Sequence, residues 1–156
     1  MKKSWLRAGV GGTEIQKARA NCQRAVNKMI REHDAALPCI SCGRFVSLDA
    51  GHFVSVGEAP GLRFHPWNIN GQCTSENTYK GGRTWEYGRG LDLKYGAGTS
   101  ELLKSLPKTA NFTLDDLLYL TDAARHGWPV YFQAYRDRFP QHFPVRKSAM
   151  PTSFAA

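Results

Sequence analysis

No stretch of about 18 consecutive apolar residues occurs anywhere in this 156-residue chain, which excludes a membrane-spanning helix. The charged start, residues 1–7, is not followed by an apolar segment, so no secretory leader is expected. Acidic residues are scarce. Thirteen Asp and Glu face 21 Lys and Arg, a formal charge of +8, and that surplus favours a polyanionic partner such as nucleic acid over a merely basic protein. Cysteine is sparse too, at Cys22, Cys39, Cys42 and Cys73. Two disulfides in an exported protein would use the same number, but a CxxC pair with a distant third cysteine and no leader favours reduced thiols, a metal and a cytoplasmic location. At 17.4 kDa there is room for one domain with extended ends, not for separate catalytic and regulatory domains.

The segment after the glycine-rich start reads as a helix over residues 13–33. Thr13 can cap it, and Ile15, Ala18, Cys22, Val26, Met29 and Ile30 recur at helical spacing, while Lys17, Arg19, Arg24, Lys28 and Arg31 occupy the other faces. Such a basic amphipathic helix can pack on a core, lie along a phosphate backbone, or do both. Cys22 falls on the apolar stripe, which suits a buried free thiol better than a metal ligand.

Pro38 closes this region, and Cys39-Ile40-Ser41-Cys42-Gly43 reads as a tight metal knuckle. Short strands are expected at 45–48 and 52–56, a loop at 57–66 containing Pro60, Gly61 and Pro66, a returning strand at 67–72, and a short helix at 73–80 stopped by Gly81-Gly82. That order matches a ββα-metal nuclease unit. The fold class expected is α+β: a small zinc-stapled, HNH-like core with a basic N-terminal helix and C-terminal helices. A second CxxC would complete four thiolates, but the position three residues after Cys73 is Glu76. The expected zinc site is therefore Cys39, Cys42, Cys73 and Glu76 with weakened hold, with water or His33 as the alternatives for the fourth place.

These same residues carry a family resemblance. The series CISCG, DAGHF, SVGEAP, LRF, NINGQC and EN, in that order from about residue 27 to 103, resembles the NinG (Rap) family of phage recombination proteins. The resemblance implies a structure-specific endonuclease for branched recombination intermediates, with an HNH-type site similar to that of phage endonuclease VII. Branched DNA, other phage recombination proteins and a second copy of the chain are the partners it implies, in the host cytoplasm.

Phosphodiester hydrolysis needs an activated water and a cation at the phosphate. His52 is the expected general base, since imidazole titrates near neutrality. Asn68 corresponds to the middle asparagine of HNH hairpins, which bonds backbone across the loop and orients the histidine. Asn77 corresponds to an asparagine ligand of the catalytic cation, Mg²⁺ or Mn²⁺, although an Asn there can also serve as a helix cap. The aspartate that often precedes the histidine is replaced by Gly51, leaving Asp49 as the acidic ligand expected, with Glu58 second. Arg63, Lys80, Arg83 and Arg89 are expected to meet DNA phosphates, with Trp67, Tyr79 and Trp85 between them available for core packing or base stacking.

Beyond Leu103 the resemblance fades. A helix is expected from Thr113 to the stop at Gly127, and a second over residues 131–139. The domain organisation expected is a flexible 1–12, a nuclease-like unit at 13–104, a helical extension at 105–142 and a disordered tail at 143–156. Two other classes use the same features: a non-catalytic zinc-containing DNA-binding accessory protein, and a structural phage protein with a stapling knuckle.

Overall fold

The computed structural model describes residues 13–79 and 84–144, with the side chains of residues 78 and 79 excepted. The expected flexible start, nearly all of the expected tail, Lys80, Arg83 and the Tyr79 side chain lie outside the described part. Helix α1 runs Glu14–Asp34, one residue from its expected end. It begins with a reciprocal cap in which the Thr13 hydroxyl accepts from the Gln16 amide and the Gln16 side chain accepts from the Thr13 amide. Its buried face is Ala18, Cys22, Val26, Met29 and Ile30, closed at the C-terminal end by the buried carboxylate of Asp34.

The sheet is one antiparallel hairpin. Strand β1, Asp49–His52, pairs with β2, Ile69–Gln72, in the register Asp49 to Gln72 and His52 to Ile69. The strands expected at 45–48 and 52–56 are thus replaced by a single strand between them. The cause lies in the backbone bonds on each side. The Cys39 amide donates to the Arg44 carbonyl and Gly43, at φ +73°, donates to the Cys39 carbonyl, so the knuckle coils and leaves Phe45 and Val46 76 and 42 % exposed. Past His52, the Val54 amide is captured by the Asn68 side chain, which ends the ladder. The connecting loop carries a 3-10 turn at Pro60–Leu62, and the expected helix after Cys73 is a π-helical turn, Ser75–Tyr79.

Two further helices, α2 (Thr84–Tyr95) and α3 (Thr99–Ser105), occupy a stretch with no clear apolar period and with internal glycines. Helices α4 (Leu114–Arg125) and α5 (Trp128–Arg138) follow. The former is capped by Thr113 and Asp116 as the sequence suggests, and the latter starts earlier than expected because Pro129 suits a helical first turn. The whole is a helix-rich α+β fold with two main cores. One joins α1, α4 and α5 with Phe64 and Ile69 from the loop and β2. The other packs Phe53, Leu62, Tyr87, Leu91 and Leu103 on the far side of the hairpin.

A buried polar network fixes the hairpin between these cores. Asp34 accepts from the Gly71 amide at 2.7 Å and from Lys94 at 3.1 Å; Lys94 and Tyr95 both donate to the Asn70 carboxamide oxygen, at 2.9 and 2.7 Å. Tyr87 donates to the Gly51 carbonyl at 2.5 Å. Every partner is satisfied by another element, so the network specifies how α1, β2 and α2 meet. Gly90 in α2 has a packing reason: a Cβ there would overlap the Ile40 carbonyl oxygen of the knuckle. Gly90→Ala is therefore expected to destabilise the fold by about 3 kcal/mol despite the better helix propensity of alanine. Urea unfolding checks this, and a variant as stable as the parent would show that α2 does not rest on the knuckle.

Candidate metal knuckle and histidine site

The knuckle brings three thiols together. The sulfurs of Cys39, Cys42 and Cys73 all lie within 4.8 Å of one another, with Cys42 and Cys73 3.8 Å apart. A tetrahedral zinc site with Zn–S bonds of about 2.3 Å has an S···S edge of ~3.8 Å, which the Cys42 and Cys73 sulfurs match, so the three could hold a metal such as zinc. The Cys73 amide donates to the Cys39 sulfur at 3.3 Å, and the Arg44 guanidinium reaches Cys42 at 3.3 Å and Cys73 at 3.8 Å. Burial pushes the Cys42 thiol up, but the Arg44 bonds and its cysteine neighbours outweigh this and bring it down to about 7. Thiolate, the ligand form, is thereby accessible near neutral pH.

The fourth position differs from expectation. The close group of ligand atoms contains the three sulfurs and not Glu76, which is 2 % exposed in the π-helical turn after Cys73. The Cys73 carbonyl accepts from the Asn77 amide at 2.9 Å, which closes a turn over Thr74, Ser75 and Glu76. His33 is also outside the group: its Nδ1 bonds Asp34 at 2.8 Å and its ring stacks on Trp128. Cys22 is buried in the helical core, where desolvation pushes its thiol up to about 11 and leaves it inert.

His52 ends β1 opposite Ile69, at the end of the hairpin away from Cys73. Its Nε2 lies 3.0 Å from the Arg63 carbonyl oxygen. A carbonyl can only accept, so this contact assigns the proton to Nε2 and the lone pair to Nδ1. Burial lowers the imidazole's pKa, the bond to the Arg63 carbonyl opposes this, and the Arg63 charge lowers it further. The ring is therefore neutral at pH 7, which is the form a base requires. Asn68 bridges the loop around it: its amide donates to the Val54 and Leu62 carbonyls at 3.0 and 3.1 Å, and its oxygen accepts from the Val54 amide at 2.8 Å.

On the other face of β1, Gly51 is crowded. A Cβ there would overlap the Gln72 carboxamide oxygen and lie 3.1 Å from the Asn77 Oδ1, so any side chain before the histidine requires the Gln72 side chain to move. Gln72 went unnoticed in the sequence, although NINGQC places it on a strand beside the knuckle; its amide donates to Ser41 at 2.7 Å. Asp49 accepts from the Thr74 hydroxyl at 2.7 Å, with its second oxygen carrying no other partner among the described residues. Glu58 belongs elsewhere, held 3.6 Å from Lys108 on the exposed loop. Arg63 stands next to His52 with its Nε on Gln23, and Arg89 borders the groove between α2 and the knuckle loop. Trp67 is absorbed into an aromatic cluster with His65, Tyr95, Phe132 and Phe143, whereas Trp85 is exposed.

A cluster of three thiols that could hold a metal, next to a short hairpin that carries a carbonyl-pinned histidine, defines a small thiol-knuckle α+β protein. The family model described as Bacteriophage Lambda NinG protein matches residues 14–128, and the chain belongs to this family. It is 38 % identical over 96 residues to protein ninG of Escherichia phage lambda and 40 % identical over 96 residues to that of Salmonella phage P22. Each alignment covers 60 % of this chain and 47 % of the relative, so the chain spans about half the length of the curated relatives it matches. No solved structure matches it. Among the described residues, no helix is long and apolar enough to cross a membrane.

Proposed function

We propose that this protein is an HNH-type, metal-dependent endonuclease acting on branched DNA recombination intermediates. The observation that carries the reading is the histidine geometry: Nε2–H of His52 is committed to the Arg63 carbonyl, which leaves Nδ1 as a fixed, neutral base. In this reading Nδ1 takes the proton from the attacking water, and Asn68 keeps strand and loop at the spacing that aims the ring. Cys39, Cys42 and Cys73 hold a structural zinc, with solvent in the fourth place.

The oxygen donors of Asn77 and Asp49 suit a hard cation that keeps several waters, such as Mg²⁺ or Mn²⁺. When bound, that cation stabilises charge on the phosphate and leaving oxygen. Arg63 and Arg89 neutralise backbone phosphates without reading sequence, as a shape-selective enzyme requires. Paired nicks across a junction call for a two-fold dimer.

The absence of a carboxylate at position 51 favours a second reading, a zinc-containing accessory protein that binds DNA without cutting it. A labelled four-way junction incubated with protein and Mg²⁺ or Mn²⁺ separates the two. The endonuclease reading expects cleavage by the wild type and a rate lower by about 10³-fold for His52→Ala. Equal cleavage by both proteins rejects His52 as the base, and binding without cleavage by either supports the accessory reading.

A further inference from the structure

Arg63, whose backbone carbonyl holds His52, meets α1 through its side chain, and the proposed chemistry assigns α1 no role. Gln23 donates through its amide to Asn27 Oδ1 at 2.9 Å, which fixes the carboxamide and turns its oxygen toward Arg63 Nε, 3.2 Å away. With Nε engaged and the guanidinium leaning on the Phe64 ring at 5.3 Å, the side chain is held in one orientation. Its terminal nitrogens carry no partner among the described residues. Arg19 lies one turn before Gln23, so i,i+4 spacing puts it on the same face of α1.

No carboxylate among the described residues pairs with Arg19 or Arg63. Burial, then the Arg19 charge, hold the Arg63 guanidinium below its ordinary value. Two like charges kept close and unneutralised, one of them partly desolvated, cost stability, and an anion between them relieves that cost. A phosphodiester matches the fork of guanidinium donors, and the Arg63 backbone carbonyl already touches the catalytic histidine.

We propose that Arg19 and Arg63, oriented by Gln23, form a clamp for a DNA backbone phosphate next to the bond that His52 addresses. The inference rests on the proposed DNA-cutting function and adds α1 to the substrate surface. Arg19 and Arg63 contact the phosphate; Gln23 is a positioning residue. The clamp fixes register along the strand and is blind to base identity, so it suits recognition of DNA form.

Fluorescence anisotropy with a labelled four-way junction tests it, using zinc-loaded protein without added Mg²⁺ or Mn²⁺ across a salt series. Arg19→Gln and Arg63→Gln are each expected to flatten the slope of log affinity against log salt by about 1, which is roughly eight-fold weaker binding at about 0.1 M salt. Gln23→Glu plants a carboxylate against Arg63 and is expected to weaken binding equally while the melting temperature stays level or rises. Misfolding cannot mimic that pair of changes, so the third variant decides even where Arg63→Gln is unstable. Wild-type binding with parental slopes in Arg19→Gln and Gln23→Glu overturns the clamp and leaves the endonuclease reading standing. A wild type that does not bind the junction overturns both.

Discussion

Stripping the proposed zinc from the knuckle, by chelation or through Cys73→Ser, is expected to lower the melting temperature by at least about 10 °C and to release the hairpin before the helices. Structural zinc contributes ~10–16 kcal/mol in peptide-sized sites, and even a fraction of that is large for a chain of this size. Little else holds the knuckle. Its own apolar cluster is Cys39, Leu48 and Cys73 with Cys42 at the edge, too small to keep three sulfurs together by burial. The Ile40 amide donates to the Gly71 carbonyl at 3.0 Å and Gly90 rests on the Ile40 carbonyl, so a loosened knuckle disturbs both β2 and α2. Helices α1, α4 and α5 share a separate core and should keep their helicity. Metal analysis should find one zinc per chain in the wild type, and hydrogen exchange should show Ile40 losing protection on chelation. A zinc-free wild type, or an unchanged melting temperature after chelation, would end the assignment.

The parts of this fold legible in the sequence are those written in local chemistry. Helix α1 declared itself through Thr13 and a regular apolar stripe, and α4 through Thr113 and Asp116. The CxxC pair sits on one short turn, and its motif also pointed to Cys73, which reaches it from 31 residues beyond Cys42. What stayed hidden depends on neighbours distant in sequence. The Gly90 and Gly88 positions weaken α2 as a pattern, yet Gly90 faces the Ile40 carbonyl, and a Cβ on Gly88 would lie 3.3 Å from Phe53 and Ser100. The strand fell between its two expected places because Asn68, fourteen residues away, takes the Val54 amide. Glu76 shows the same limit: it has the expected offset from Cys73, yet the close group of ligand atoms holds only the three sulfurs, and spacing alone does not place a carboxylate. At the candidate site the residue types were readable, while the pinning of His52 by a backbone carbonyl leaves no mark on sequence at all.

Acid should unfold this protein through His65, a residue with no part in the proposed chemistry. The ring is fully buried between the loop and the C-terminal helices. The Trp67 amide donates to its Nδ1 at 3.1 Å, so the remaining proton sits on Nε2 and points at the His142 carbonyl, 3.2 Å away. Both nitrogens are used in the neutral form, and protonating Nδ1 would set two N–H groups against each other. Burial accordingly pushes the pKa down to about 3, against about 6.5 in the unfolded chain. A base whose folded pKa is depressed stabilises the fold fully above pH 6.5, and that contribution is lost as pH falls from 6.5 toward 3. The full loss is about 5 kcal/mol, of which about 2 kcal/mol is gone by pH 5, a large part of a typical folding free energy. His142, whose Nδ1 lies 2.8 Å from the Tyr135 hydroxyl, and His52 are shifted down as well and act in the same direction. Protons competing for the knuckle thiolates add a further loss with the same sign. Comparison with His65→Gln removes the buried ring together with its coupling to His142, while His52 and the knuckle thiols stay in both proteins. Urea unfolding at pH 7.5 and pH 5.0 should show the wild type losing about 2 kcal/mol more than the variant. Equal losses would mean that the His65 ring accepts a proton in the fold, and the bond from the Trp67 amide would then have to be given up near neutral pH.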